Sequence, residues 1–267
     1  MRKEMLREGI SRRGLLKNAG KLAMGASAAA AVASGGLAFL SKAEAKGGPT
    51  EKWPWPYEKL DPGKTAEIAY NEWYRVLCGG AVISSVFGQL RDKIGEPYKS
   101  FPIDAFVFLE GGIAEWGTIC GTNAGANIVS NLIIGPRIAI SDDGELMGSE
   151  MMQWYSESAL PVYTPRVPKI TASIPRTISN SPLCHISVGR WMKAANKSLD
   201  SPERKDRCAR VAASVAYHLV ELMNAWKDGR YETKGTIPSK LYGITGQQNC
   251  TDCHGMKVPT PPMSVKG

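Results

Sequence analysis

A C-x-x-C-H motif near the C-terminus is the feature around which this chain must be organised, and Cys250, Cys253 and His254 form it. Two thiols at this spacing can each add to a vinyl group of one haem, and the histidine that follows can then bind the iron. We therefore predict that Cys250 and Cys253 attach a c-type haem covalently. His254 is predicted to be the proximal ligand of its iron.

Three other interpretations of this motif have weaker support in the surrounding sequence. A thioredoxin-like C-x-x-C needs a strand–helix setting, but here residues 246–249 and a proline-rich tail surround the motif. Half of a zinc ribbon would need a second cysteine pair at similar spacing, and the chain has none. A reactive, exposed cysteine pair is the remaining alternative.

The first 45 residues have the features of an export signal. Arg12 and Arg13 form a twin-arginine pattern, an uncharged stretch follows from Leu22 to Leu40, and residues 43–45 supply a small-x-small cleavage site. The uncharged stretch is nearly long enough to be a retained membrane anchor, but its Ala, Gly and Ser residues contribute little to insertion. We predict that residues 1–45 are a cleaved twin-arginine signal peptide. The mature protein is then expected to be periplasmic, with no membrane association.

The formal net charge of +8 does not indicate a nucleic-acid partner. Residues 1–45 contain eight Lys or Arg and three Glu, which place +5 in the predicted signal peptide and leave +3 on the rest of the chain. The propionates of a haem would lower this remainder further. We therefore expect no binding to nucleic acid.

Hydrophobic periodicity predicts a mainly α fold, a compact multi-helix domain with long proline-rich loops and a C-terminal haem-binding segment. Residues 46–63 are predicted to be an extended arm, 64–228 the helical four-cysteine domain, and 229–267 the haem-binding segment. A capping residue followed by proline predicts three helix starts, and the four prolines of residues 161–181 exclude a helix there. The predicted helices cover residues 64–94, 102–110, 120–133 and 142–158, a further stretch that starts at Ser181-Pro182, and residues 202–227 after Ser201.

Four further cysteines have no compact spacing, since 42, 64 and 24 positions separate them in turn along the chain. By spacing alone they would be buried thiols or two disulfides. An iron–sulfur cluster is favoured because two of them precede a glycine, as sulfurs that accept backbone hydrogen bonds often require, and two point to inner helix faces. Export of a folded chain would also let a cluster form in the cytoplasm before any disulfide. The predicted ligands of a [2Fe–2S] cluster are Cys78, Cys120, Cys184 and Cys208.

A second axial ligand for the haem has few candidates, because the chain contains only three histidines. His185 is the preferred one, since it lies at a helix start on a different face from Cys184, which suits a ligand directed at a separate centre or across a subunit interface. His218 is the runner-up, and an open sixth position or a thioether are the other possibilities. The methionine alternatives are Met147, Met151, Met152, Met192, Met223, Met256 and Met263.

Six blocks of this sequence, spread in order over residues 55–254, resemble the split-Soret cytochrome c family. They are W-P-Y-E-K-L-D-P from Trp55, C-x-x-A-V from Cys78, G-x-x-C-G from Gly117, L-C-H-x-S-V-x-x-W from Leu183, R-C-A-R from Arg207, and the terminal C-x-x-C-H. The cysteine pattern is also similar to a broader group of redox-associated proteins marked by C…GCAxxG…C…C.

This resemblance implies a periplasmic homodimer with haems stacked at one end and an iron–sulfur centre bound by the four cysteines of each subunit. It also implies that the axial histidine can come from the partner chain. The sequence has a single C-x-x-C-H motif, which supports one covalent haem per chain. The two haems of a dimer would then form the stacked pair.

The predicted function is electron transfer between a c-type haem and a [2Fe–2S] centre, without bond-making catalysis by the protein. Two alternatives remain open. A small-molecule reductase would use an open sixth position on the haem iron. A single-haem carrier would have two structural disulfides in place of the cluster.

Overall fold

The computed structural model describes residues 52–237 and Gly246. The predicted signal peptide, the first residues of the predicted arm and the C-x-x-C-H motif lie outside the described residues. The described chain is mainly α-helical, as predicted. Its elements are α1 (Pro62–Ile94), a 3-10 helix (Ile103–Phe108), α2 (Gly121–Ile134), α3 (Asp143–Glu157), β1 (Ala159–Leu160), β2 (Thr177–Ile178), α4 (Cys184–Ala195) and α5 (Pro202–Lys227).

The two longest described helices, α1 and α5, begin at two of the three Pro-containing starts that local sequence predicts. The Asp61 carboxylate accepts a hydrogen bond from the backbone N–H of Lys64 at 2.6 Å, and Pro62 occupies the first turn of α1. In the same way, the Ser201 hydroxyl accepts from the Arg204 N–H at 3.2 Å. Both caps satisfy a backbone N–H that has no partner within its own helix.

Helix α5 is buried on every side from Asp206 to Ala216 and keeps one buried face beyond that stretch. Cys208, Ala212, Val215 and Leu219 on this face are all buried, as the predicted inner stripe requires. Leu222 continues the stripe and is partly buried. Each large apolar side chain removed from water in this way contributes about 1.5–3 kcal/mol, so packing rather than helix propensity stabilises α5.

Helix α1 changes direction at Leu77, whose φ of 58° and ψ of −161° interrupt the helical backbone immediately before Cys78. Beyond this kink the chain comes very close to its neighbours. A Cβ added to Gly79 would lie 2.5 Å from the Leu109 Cβ and 2.6 Å from the Gly121 carbonyl oxygen. Only glycine fits at this contact, which accounts for the glycine pair that interrupts the helical pattern of α1.

Two predicted helices differ from the observed ones. The stretch predicted as a short helix at residues 102–110 is a 3-10 helix. Helix α4 begins at Cys184, two residues after the predicted start, because Leu183 pairs with Ile119 in an isolated antiparallel β-bridge. The Pro182 carbonyl also accepts the Cys120 N–H at 2.9 Å, so residues 182 and 183 serve a tertiary contact rather than the first turn of a helix.

The proline-rich stretch between α3 and α4 is a wrapping loop, as predicted. Its two short strands pair antiparallel, with Ala159 opposite Ile178 and Leu160 opposite Thr177. The hydroxyl of Ser214 on α5 accepts hydrogen bonds from two successive backbone N–H groups of the loop, at 3.1 and 3.0 Å. The loop is thereby fastened to the buried part of α5. None of the helices in residues 52–237 combines the length and apolarity needed to cross a bilayer.

Both ends of the described chain pack on this helical body. Near the start, the Tyr57 hydroxyl donates to the Asn224 side-chain oxygen at 2.9 Å, and residues 54–60 have no regular secondary structure. After α5 the chain returns along α3, where the Tyr231 hydroxyl donates to the Glu150 carboxylate at 2.8 Å and the Lys234 N–H donates to the same carboxylate at 3.0 Å. The described part of the predicted haem-binding segment therefore starts against α3.

Candidate metal centre

The four cysteines outside the C-x-x-C-H motif lie in one buried region, hereafter the four-cysteine centre. Each comes from a different place in the fold: the kink of α1, the residue before α2, the first residue of α4, and the second turn of α5. All four are free thiols with exposed fractions of 6–8%. The members are Cys78, Cys120, Cys184 and Cys208.

A short backbone pairing holds two of these cysteines side by side. The Cys120 N–H donates to the Pro182 carbonyl at 2.9 Å, and the Cys184 N–H donates to the Thr118 carbonyl at 2.7 Å. These bonds lie on either side of the β-bridge between Ile119 and Leu183. The same pairing that delays the start of α4 therefore sets the separation of the two thiols.

The thiols affect one another's ionisation, which shows that they form one electrostatic unit. A hydrogen bond from Cys184, with a second one from Thr122, lowers the pKa of Cys120 although burial opposes the shift. The same Cys120–Cys184 bond, followed by burial and the charges of Cys120, Cys208 and Cys78, raises the pKa of Cys184. The hydrogen bond between them therefore favours the charged form of Cys120 and the neutral form of Cys184.

Burial, and then the charges of Cys120 and Cys208, raise the pKa of Cys78. Its sulfur nevertheless has a donor, because the Trp73 indole N–H points to it at 3.4 Å. A backbone bond from Gly111 also favours the charged form of this thiol. Such donors stabilise negative charge on sulfur and are the means by which a protein tunes a sulfur-ligated metal.

The glycines that follow two of the cysteines have a packing role in addition to the predicted one. The predicted backbone hydrogen bond to sulfur is present at Cys120, where it comes from Thr122, the residue after Gly121. In addition, the Gly79 N–H donates to the Leu109 carbonyl at 2.9 Å, and a Cβ on Gly121 would collide with that carbonyl. The glycines therefore allow the 3-10 helix region to close over the centre, and the donors to sulfur come from Trp73, Gly111 and Thr122.

Arg207 is the charged side chain that sequence reasoning missed. It is 1% exposed, and its guanidinium points at the Cys208 sulfur, with 3.9 Å between Nη1 and Sγ. Its Nη2 donates to the Ser187 hydroxyl at 2.8 Å, and the same hydroxyl accepts from Tyr155 at 2.8 Å. Although burial opposes its charge, Cys208 and then Tyr155 hold the pKa of Arg207 above its ordinary value.

The donor set fits an iron–sulfur cluster by its chemistry. Four thiols, shielded from water and supplied with N–H and O–H donors and one buried cation, are the groups that hold and tune such clusters. Within residues 52–237, no group of three or more Cys, His, Asp or Glu side chains is placed so that it could hold a metal ion. The fit therefore stands on the identity, burial and mutual interaction of the four thiols, and not on a coordination geometry already formed.

His185 lies outside the four-cysteine centre, as predicted from its helix face. Its neighbour Cys184 is buried whereas the His185 side chain is exposed. Its backbone N–H donates to the Gly117 carbonyl at 3.1 Å, and a Cβ on Gly117 would lie 2.9 Å from the His185 Cβ. Trp116, which precedes Gly117 in the chain, is 84% exposed.

The runner-up His218 packs within the fold. Its ring stacks on Trp154 with 4.4 Å between ring centroids, and its Nδ1 lies 3.3 Å from the Glu221 carboxylate. Burial lowers the pKa of His218, and Glu221 partly opposes this shift. Among the methionine alternatives, Met147, Met151 and Met223 are core residues and Met152 and Met192 are partly buried, whereas Met256 and Met263 lie outside the described residues.

Cys250, Cys253 and His254 also lie outside the described residues, so their roles in haem attachment and ligation stay predictions. Of the site residues predicted from sequence and described by the structure, the four cysteines come together and His185 and His218 lie apart from them. Arg207, Trp73 and Tyr155 were missed. An arginine directly before a predicted cluster ligand, as in the R-C-A-R block, is the sequence signal that could have drawn attention to Arg207.

Comparisons with known proteins give consistent matches. Residues 83–222 match a family model described as "Putative redox-active protein (C_GCAxxG_C_C)". Split-Soret cytochrome c of Desulfovibrio desulfuricans (strain ATCC 27774) is 32% identical over 207 residues, which cover 76% of this chain and 71% of that protein. A solved structure of split-Soret cytochrome c from the same strain, described as having a novel iron centre, matches with a TM-score of 0.70 and 28% identity. That match covers 82% of this chain and 99% of the solved one.

Proposed function

Because this chain belongs to the C_GCAxxG_C_C family of redox-active proteins and is related within it to split-Soret cytochrome c, we propose that it is an electron-transfer cytochrome. The observation that carries this proposal is the convergence of four buried thiols from four separate elements. Buried thiols that interact electrostatically with one another and accept hydrogen bonds are suited to binding a redox metal group and setting its reduction potential.

In the finer form of this proposal, Cys78, Cys120, Cys184 and Cys208 hold a [2Fe–2S] cluster. When bound, such a cluster supplies a centre that accepts and releases single electrons. The protein's part is to exclude water from the thiols, to keep them 6–8% exposed, and to direct donors at their sulfurs. No general acid or base is required of these side chains, because electron transfer makes and breaks no bond in a substrate.

A second centre in this proposal is the c-type haem anchored by Cys250 and Cys253, with His254 as its proximal ligand. We assign the distal position to His185. The exposure of His185, and that of Trp116 next to the Gly117 that its backbone contacts, support a contact with a group that comes from outside the described helical body. That group could be the haem of the same chain or of a second copy, and a homodimer with paired haems is the arrangement we propose.

The proposed location is the periplasm, reached by the twin-arginine route that residues 1–45 indicate. This route transports folded proteins, so the four-cysteine centre would be assembled before export and the haem attached after it. The proposal thus explains why one chain carries both a folded-export signal and a c-type haem motif.

The proposal is tested by measuring total iron, acid-labile sulfide and haem per chain in the purified, exported protein. We expect acid-labile sulfide in the wild type, and two variants should separate the centres. Cys208→Ser should lose the sulfide and keep the haem, whereas the double variant Cys250→Ala, Cys253→Ala should lose covalent haem and keep the sulfide. One iron per chain without sulfide in the wild type would overturn the cluster and leave a single-haem carrier.

A further inference from the structure

Arg207 is a buried cation without a carboxylate partner in residues 52–237. It is 1% exposed, and its Nε has no hydrogen-bond partner among the described residues. Arg210, one turn further along α5, shows the usual arrangement, because it pairs with the Asp206 carboxylate at 2.7 Å. An uncompensated buried charge costs several kcal/mol, so a structural role alone does not account for Arg207.

The groups around Arg207 lead to the four-cysteine centre. On one side its Nη1 reaches the Cys208 sulfur at 3.9 Å. On the other side its Nη2 donates to the Ser187 hydroxyl at 2.8 Å, and this hydroxyl also accepts from Tyr155. The charges of Cys208 and Cys120 both favour the charged form of this guanidinium. Arg207 therefore touches one of the four thiols directly and interacts with a second one through its charge.

A cluster held by four thiolates is a net anion, and each electron that it accepts makes it more negative. A cation beside it stabilises the reduced form more than the oxidised form. The burial of Arg207 strengthens this effect, because charges interact more strongly away from water. Arg207 lacks a negatively charged partner, and the cluster would need a positively charged one. Each would therefore compensate the charge of the other.

We propose that Arg207 is the counter-ion of the four-cysteine centre and raises its reduction potential through its positive charge beside Cys208. This inference rests on the proposed function, since it needs an anionic metal centre at the four thiols. Arg207 is a positioning residue, because it bonds to the thiols and not to the metal. It deepens the proposed function by naming the residue that tunes the centre.

The test compares Arg207→Met and Arg207→Lys with the wild type in the purified, metal-loaded protein. Redox titration followed by electron paramagnetic resonance gives the midpoint potential, and iron and sulfide analysis confirms that the centre is intact. We expect Arg207→Met to shift the reduction equilibrium at least tenfold toward the oxidised form, which corresponds to about 59 mV for one electron. Arg207→Lys keeps the charge and should shift it less.

Lys205→Met is the matched control, because it removes one positive charge from the same helix at an exposed position. It should leave the midpoint potential unchanged. An unchanged potential in Arg207→Met with full iron and sulfide would overturn the role of Arg207 alone. A wild type without acid-labile sulfide would instead overturn the cluster, and the role of Arg207 with it.

If Arg207→Met does not assemble the centre, Tyr155→Phe provides the second measurement. This variant keeps the buried ring and removes only the hydroxyl that donates to Ser187, the residue that anchors the Arg207 guanidinium. A downward shift of the midpoint potential in Tyr155→Phe supports the role of the anchored guanidinium. An unchanged potential contradicts it.

Discussion

The indole N–H of Trp73 donates to the sulfur of Cys78 at 3.4 Å, although both residues belong to helix α1. In a regular helix, side chains five positions apart point in directions about 140° apart and do not meet. The non-helical backbone of Leu77 lies between them and turns Cys78 back toward Trp73. The kink thus places a thiol at the centre and supplies its hydrogen-bond donor at the same time.

Replacing Trp73 by phenylalanine should lower the reduction potential of the proposed centre. The variant keeps an aromatic ring in the core but removes the donor to the Cys78 sulfur, and a donor stabilises the more negative, reduced form. A hydrogen bond of about 1 kcal/mol corresponds to about a fivefold shift toward the oxidised form. The midpoint potential measures this shift, and Trp154→Phe, on α3, is the control in which we expect none.

Gly79→Ala should destabilise the fold. The new Cβ would lie 2.5 Å from the Leu109 Cβ and 2.6 Å from the Gly121 carbonyl oxygen, so the chain around the centre must move apart. We expect a loss of about 1–3 kcal/mol in the free energy of unfolding, measured by urea denaturation.

Gly88→Ala is the control for Gly79→Ala, because Gly88 lies in the same helix and a Cβ there meets nothing within 4 Å. This change should raise the free energy of unfolding by about 0.5–1 kcal/mol, since alanine favours the helix. Equal effects of the two substitutions would contradict the packing role that we assign to Gly79.

The haem iron should lose its low-spin state in His185→Ala and keep it in His218→Ala. His185 is exposed, whereas His218 stacks on Trp154 at 4.4 Å and contacts Glu221. Visible absorption and electron paramagnetic resonance of the purified variants report the spin state. The opposite result, with high-spin iron only in His218→Ala, would transfer the distal position to His218.

His218 should also make the stability of the fold depend on pH. Burial under Trp154 lowers its pKa below the ordinary value of 6.5, so the unfolded chain binds the proton more readily. Its neutral form is therefore favoured in the folded chain. Stability should fall as the pH drops below about 6.5 and level off once the pH is below the pKa of the folded state.

Urea denaturation between pH 7 and pH 4 measures this effect, with His218→Gln as the comparison. The glutamine variant should lose less stability over this range, because it has no imidazole to protonate. Parallel curves for the two proteins would show that burial does not affect the ionisation of His218.

Local sequence signals predicted those parts of the fold that local contacts determine. Asp61 and Ser201 cap their helices as expected, because a capping side chain acts on the next three residues only. The start at Ser181-Pro182 was wrong by two residues because Leu183 pairs with Ile119, far away in sequence. No local pattern records a contact of that kind.

In the candidate metal centre, too, local patterns predicted some features, whereas contacts between distant parts of the chain determine others. The inner faces of α4 and α5 predicted that Cys184 and Cys208 would be buried, and they are. Periodicity could not show that Arg207 is buried as well, because a charged residue in a long helix is usually on its exposed face. Its position depends on Ser187 and Tyr155, which reach it from two other helices.

Cys184 and His185 share one peptide bond at the start of α4, with the thiol buried and the imidazole exposed. If Cys184 binds the proposed cluster and His185 binds the haem iron, the covalent bridge between the two metal groups is as short as a polypeptide allows. A mutation that loosens the first turn of this helix would then disturb both ends of the bridge together. Electron transfer between the buried four-cysteine centre and the haem would then depend on two consecutive residues.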